Sequence, residues 1–170
     1  MDFNGWPMNN QRGTTLIETL VYIGLFTIII GGGMVATYQI IESIGKNQNK
    51  TIVESEGNFL LRKIDWALTG VSTISSPVAS STGPNLTVDK INFPSSPLVH
   101  LEFKFLNNNL KLSRDGGAAN KLNGAQAILS DMVFEHLAAV GTRPEAVKAS
   151  FTLSYIGFSQ NFSTTKYLRK

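Results

Sequence analysis

The sequence predicts an α+β protein, with a long N-terminal helix whose first half is transmembrane and whose second half packs on an antiparallel β-sheet head. Three observations lead there. Residues 19–41 carry no charge and are rich in Ile, Leu, Val and Phe, about the length that crosses a bilayer as a helix. Residues 52–71 then place apolar side chains at helical spacing with charges between them. Beyond Gly70 the chain changes to short alternating segments broken by Gly, Pro and Asn, the pattern of strands and turns.

The 170 residues carry a formal net charge of +3 and no cysteine. With the first 41 residues set aside, roughly 130 remain, enough to bury a core. A charge this small and dispersed gives weak support to nucleic-acid binding. The lack of cysteine excludes a disulfide framework, Cys-ligated zinc, thiol catalysis and a lipid-modified cysteine. Only 16% of residues are charged, and Ser, Thr, Asn and Gly are frequent, which leans toward an exported, β-rich surface.

The apolar run is headed by Gln11-Arg12-Gly13-Thr14-Thr15-Leu16-Ile17-Glu18, and Glu18 is its single carboxylate. A charge entering hydrocarbon costs on the order of 2.5–3.5 kcal/mol or more, so such a residue usually has a function and a partner. A cut after Gly13 would put the α-amine of Thr14 one helical turn from Glu18, and that amine on a neighbouring copy would neutralise the carboxylate. The alternative is a helix-end carboxylate at headgroup level, favoured by the helix dipole, which leaves Arg12-Gly13 unexplained. An ordinary secretory signal is cut after its apolar region at a small-residue site, a pattern that Gly31-Gly32-Gly33-Met34-Val35-Ala36 fits poorly. Positive charge does not set the orientation, with Arg12 before the run and Lys46 and Lys50 after it. Gly31, Gly32 and Gly33 each cost about 1 kcal/mol relative to Ala in a helix and so form a weak point. Close helix–helix approach is the other reading of the three glycines, and both stand.

Residues 12–41 resemble the N-terminus of type IV pilins and pseudopilins. Gly13 matches the end of their short polar leader and Glu18 their fifth mature residue, with Leu16, Ile17, Leu20 and Val21 in the apolar positions. Thr14 stands where the family usually has Phe. Residues 59–68 are similar, more loosely, to minor pilins and type II secretion minor pseudopilins. The resemblance implies a leader peptide at 1–13, cleavage between Gly13 and Thr14 by a prepilin peptidase, and N-methylation of Thr14. It further implies a filament-core helix at 14–41, an amphipathic continuation at 42–70 and a β-rich globular head at 71–170 of pilin-like roll type. Glu18 would form the assembly charge pair, and the helix would loosen at Gly31, Gly32 and Gly33.

The implied partners are other pilin subunits, in a homo- or hetero-filament, the inner-membrane assembly machinery, and membrane lipid before assembly. No cofactor is implied. The precursor would lie in the cytoplasmic membrane with its N-terminus inside, and the mature subunit in a cell-surface pilus or an extracytoplasmic pseudopilus. A single-pass anchored binding module that does not polymerise is the alternative.

A polar neck follows at 43–50, and then Ile52, Val53, Leu60, Ile64, Ala67, Leu68 and Val71 recur along one helix face. Gly70 is the expected C-terminal cap. Strands are expected at 71–75, 86–93 and 98–105, with Asn107-Asn108-Asn109 turning the last into 110–112. Asp115-Gly116-Gly117 is a further turn. Residues 127–136 fit strand or helix by pattern and are assigned mainly to strand. Residues 147–155 alternate most clearly, and 158–168 are the expected partner strand.

No chemical constellation emerges. His100 and His136 fall in different expected strands without metal-ligand spacing, and phosphate-loop and nucleophile-elbow motifs are absent. The ending Lys166-Tyr167-Leu168-Arg169-Lys170 is a short basic patch, read as a solvated terminus in preference to a nucleic-acid contact. An enzyme is not expected.

Overall fold

The computed structural model describes residues 15–91 and 98–168. The cleavage-site residues Gly13 and Thr14, residues 92 and 93 of one expected strand, and Arg169 and Lys170 lie outside the described residues.

Among the described residues one helix, α1 (Leu16–Leu68), precedes nine strands. Contacts divide the chain into two units after Gly45. In the first unit, residues 16–45 are helical and exposed throughout.

The second unit begins with residues 46–68 of α1, which pack on the sheets through Val53, Gly57, Leu60, Ile64, Ala67 and Leu68. That spacing of three and four is the apolar face expected from the sequence; the structure adds Gly57. The Phe162 ring lies so close over Gly57 that a β-carbon there would overlap it, so the smallest residue sets how near the helix approaches. After Leu68 the helix stops at Gly70, whose φ of 76° is the left-handed conformation of a C-terminal cap. The Gly70 carbonyl then accepts from the Ile91 amide at 3.0 Å.

The strands are β1 (Val71–Ser76), β2 (Thr82–Gly83), β3 (Leu86–Ile91), β4 (Leu98–Leu106), β5 (Asn109–Arg114), β6 (Asn120–Lys121), β7 (Ile128–Leu137), β8 (Ala146–Tyr155) and β9 (Phe158–Tyr167). All pair antiparallel. The head is antiparallel as expected, but it forms two sheets, in the orders β1-β3-β4-β5-β6 and β2-β7-β8-β9. The divide follows from β6, which occupies the outer edge of β5 through Lys111↔Lys121 and Leu112↔Asn120. The intervening segment is fastened by buried Asn123, whose Oδ1 accepts from Leu110 N at 3.1 Å while Nδ2 donates to Ala127 O at 3.2 Å.

Phe103 of β4 and Phe134 of β7 meet at 6.3 Å between ring centres, joining the two sheets in one core. Leu60, Ile64, Leu86, Leu101, Leu129 and Leu153 fill the same core. On β9, Phe162 stacks on Phe151 at 5.4 Å beneath the helix.

Candidate functional site: the apolar segment of α1

Ile28, Ile29 and Ile30 occupy successive positions about 100° apart around the helix axis, and all three are exposed. Leu16, Ile17, Leu20, Val21, Phe26 and Met34 are likewise uncovered. An amphipathic helix shows water one polar face, whereas this segment has none to show. It contains a stretch of mean hydropathy 2.0 with no part buried, and by length and composition it is able to cross a membrane. An uncovered apolar surface of this extent calls for lipid or protein around it.

Three hydroxyls of this segment are closed onto the helix itself. Thr27 Oγ1 donates to Ile23 O at 2.7 Å, and Thr37 Oγ1 donates to Gly33 O at 2.9 Å. Thr19 Oγ1 reaches Leu16 O at 2.8 Å. Such local bonds satisfy hydroxyls where water is excluded.

Glu18 lies in the first turn of α1, where free amides and the helix dipole favour a negative charge. Tyr22, one turn further on, donates from its hydroxyl to Glu18 Oε1 at 3.4 Å. The sequence reading overlooked Tyr22, although its spacing of four from Glu18 was the available signal. Glu18 is the sole charged residue of segment 15–41.

Gly31, Gly32 and Gly33 continue the helix without interruption. A β-carbon at any of them, or at Gly24, would meet nothing within 4 Å. Packing within the chain therefore does not account for these glycines.

The head places the two histidines in separate pairs. His100 Nδ1 lies 2.8 Å from Asp89 Oδ1 across β3 and β4, while Thr73 Oγ1 donates to Asp89 Oδ2 at 2.8 Å. The His100 ring first, and the Thr73 hydroxyl second, hold the Asp89 carboxyl below its ordinary range. Buried His136 directs Nδ1 to Pro77 O at 2.8 Å and Nε2 to Glu145 Oε1 at 2.6 Å, tying β7 to two loops. Among the described residues no three His, Asp or Glu side chains gather as a metal-holding group. Lys90 donates to Trp66 O at 2.7 Å with its ammonium over the Trp66 ring, and its partial burial pushes that ammonium's pKa down. Lys166 of the basic ending is paired with Asp65 at 2.9 Å.

A long apolar N-terminal helix packed on antiparallel sheets is consistent with a pilin-like architecture. No protein-family model, curated protein or solved structure matches the chain.

Proposed function

We propose that this protein is a pilin-like subunit, of the minor kind, in a type IV pilus or a pseudopilus. The observation that carries this reading is an apolar helix segment exposed on every side and headed by a single acid, Glu18. Such a surface is stable only in lipid or against other apolar helices, and a filament core of neighbouring subunits supplies the second.

In this reading the chain is made as a precursor in the cytoplasmic membrane, with its N-terminus inside. A prepilin peptidase cuts between Gly13 and Thr14, and Thr14 becomes N-methylated. Inner-membrane assembly machinery moves the helix from lipid into a bundle of identical or related subunits. There Glu18 meets the N-terminal ammonium of a neighbour, which lowers the cost of burying either charge. The uninterrupted, unpacked Gly31-Gly32-Gly33 stretch is where the helix has least to lose by loosening. The protein acts by assembly, without catalysis and without a cofactor, in a surface pilus or an extracytoplasmic pseudopilus. Contact between nucleic acid and the basic ending is not part of this mechanism.

The first-turn position of Glu18 and its Tyr22 contact favour one second reading, a single-pass anchored binding module that never polymerises. Mass and N-terminal sequence of the native protein separate the two. A mature chain beginning at Thr14 supports the subunit, whereas an uncut N-terminus supports the anchor. Gly13→Leu is expected to leave the leader attached. Glu18→Ala is expected to permit cutting but to deplete filaments strongly, since one buried charge left alone costs about 3–5 kcal/mol. Normal filament yield from Glu18→Ala would refute the charge pair.

A further inference from the structure

The β8–β9 hairpin closes through a two-residue turn, Ile156-Gly157, between the paired residues Tyr155 and Phe158. Both turn residues have positive φ, 37° and 75°. The β4–β5 hairpin has the same loop length and the same sign of φ, but it uses Asn107 and Asn108 at 51° and 59°. Asn and Gly suit such turns, while a β-branched residue in left-handed backbone is a marked outlier. One of two like turns thus carries an unfavourable residue, and its effect is to set an apolar side chain at the apex, 70% exposed.

The apex does not stand alone. Ile128, 54% exposed, begins β7 opposite Ser154. With partly buried Tyr155 and Phe158 it lines a groove beside Ile156. No charged residue occurs between Lys148 and Lys166, or between Lys121 and Asp131. The nearby charges on the helix are engaged, Lys50 with Glu54 at 3.8 Å and Glu56 with Gly124 N at 3.2 Å.

Chain connectivity identifies the occupant. Asn49 Nδ2 donates to Ile156 O at 3.5 Å, and Asn49 follows the last residue of the apolar run, Ile41, by eight positions. Eight residues reach about 12 Å as a helix and no more than about 29 Å when fully stretched. The headgroup layer on each side of the hydrocarbon is itself about 5–8 Å thick. In a subunit inserted through residues 19–41 this length of chain keeps Asn49, and with it the apex, within reach of the bilayer surface. Aromatic and aliphatic side chains favour that boundary.

We infer that the hairpin apex Tyr155-Ile156-Gly157-Phe158, with Ile128, beds into the lipid interface while the subunit resides in the membrane. This rests on the membrane reading of residues 19–41. The patch has no charge with which to fix the orientation of a protein partner, so lipid, always within reach, is favoured over a second copy.

The natural absence of cysteine allows single-cysteine labelling. Full-length Ile156→Cys, Val140→Cys and Ile29→Cys would each carry an environment-sensitive fluorophore in phospholipid nanodiscs loaded with one chain. Val140 is 65% exposed in the loop at the far end of β7 and β8, about 30 Å away along the strands. The expected result is an Ile29→Cys label in hydrocarbon and an Ile156→Cys label quenched by headgroup-level spin-labelled lipid at least twofold more than the Val140→Cys label. Equal quenching at 156 and 140, with the Ile29→Cys label still in lipid, would overturn the inference while keeping the membrane reading. An Ile29→Cys label open to aqueous quencher would overturn both. Shielding at 156 only in discs holding several copies would identify a second copy as the occupant and overturn the lipid assignment. Ile128→Cys, on a different strand, repeats the measurement should Ile156→Cys fold poorly.

Discussion

Ile156 and Asp89 show how single side chains in this head trade local comfort against role. A left-handed β-branched residue stores on the order of 1–3 kcal/mol of strain. Ile156→Asn is therefore expected to raise the stability of the head by about 1 kcal/mol, visible as a higher midpoint in urea. An unchanged or lowered midpoint would show that the apex backbone is not strained. Asp89 works in the opposite sense. Its carboxyl is held below the ordinary value of 3.8 by His100 and Thr73, so the folded state favours the ionised form. That contribution is complete above the unfolded value and is lost as pH falls from about 3.8 through the lower folded value. Asp89→Asn should accordingly be less stable than the parent at pH 6, with the difference closing toward pH 2 in thermal scans. A pH-independent difference would mean that the His100 and Thr73 contacts do not act through ionisation. At this scale the sequence was partly legible. Asn107 and Asn108 announced their turn because their side chains suit it, whereas Ile156 gave no sign of a turn because its intrinsic preference points to strand.

Elements were more legible than their pairings. The Val53–Leu60–Ile64–Ala67 spacing exposed the packed face of α1, alternation marked β4 and β8, and β9 was expected as the partner of β8. Strand β7 was ambiguous for a physical reason. Asp131 adopts a φ of 52° at a bulge between Ser130 and Val133, so the inward positions step from Leu129 to Met132. A three-residue step mimics a helix. Gly57 shows the same limit, because a glycine among apolar neighbours does not reveal that an aromatic ring needs its space. Gly57→Ala would gain about 1 kcal/mol of helix propensity yet drive a methyl into Phe162. A net loss of about 1–2 kcal/mol is expected, as overpacking of a core typically outweighs that gain. Adding Phe162→Leu should recover part of the loss, and strictly additive effects of the two changes would contradict direct contact.

At the scale of the whole molecule, the buried core found among the described residues begins at Val53 and belongs to the second unit. Residues 46–170 alone, about 125 residues and enough for an independent core, should fold to a soluble monomer with one cooperative thermal transition. Aggregation or a featureless melt would show that the apolar segment contributes to folding. The division into two sheets was not legible beforehand, because it depends on β2 and β6, each two residues long. Strands so short leave no periodic trace, and β2 pairs far along the chain, Thr82 with Glu135. The apolar segment was the opposite case, readable at once because hydropathy alone defines it.

Thr27 and Thr37 return their hydroxyl protons to carbonyls four residues back. Those two hydroxyls thus ask neither solvent nor neighbour for a hydrogen bond. Both can be passed from one oily setting to another without breaking and remaking their polar links. The acidic tip of the segment, by contrast, would register the change of company.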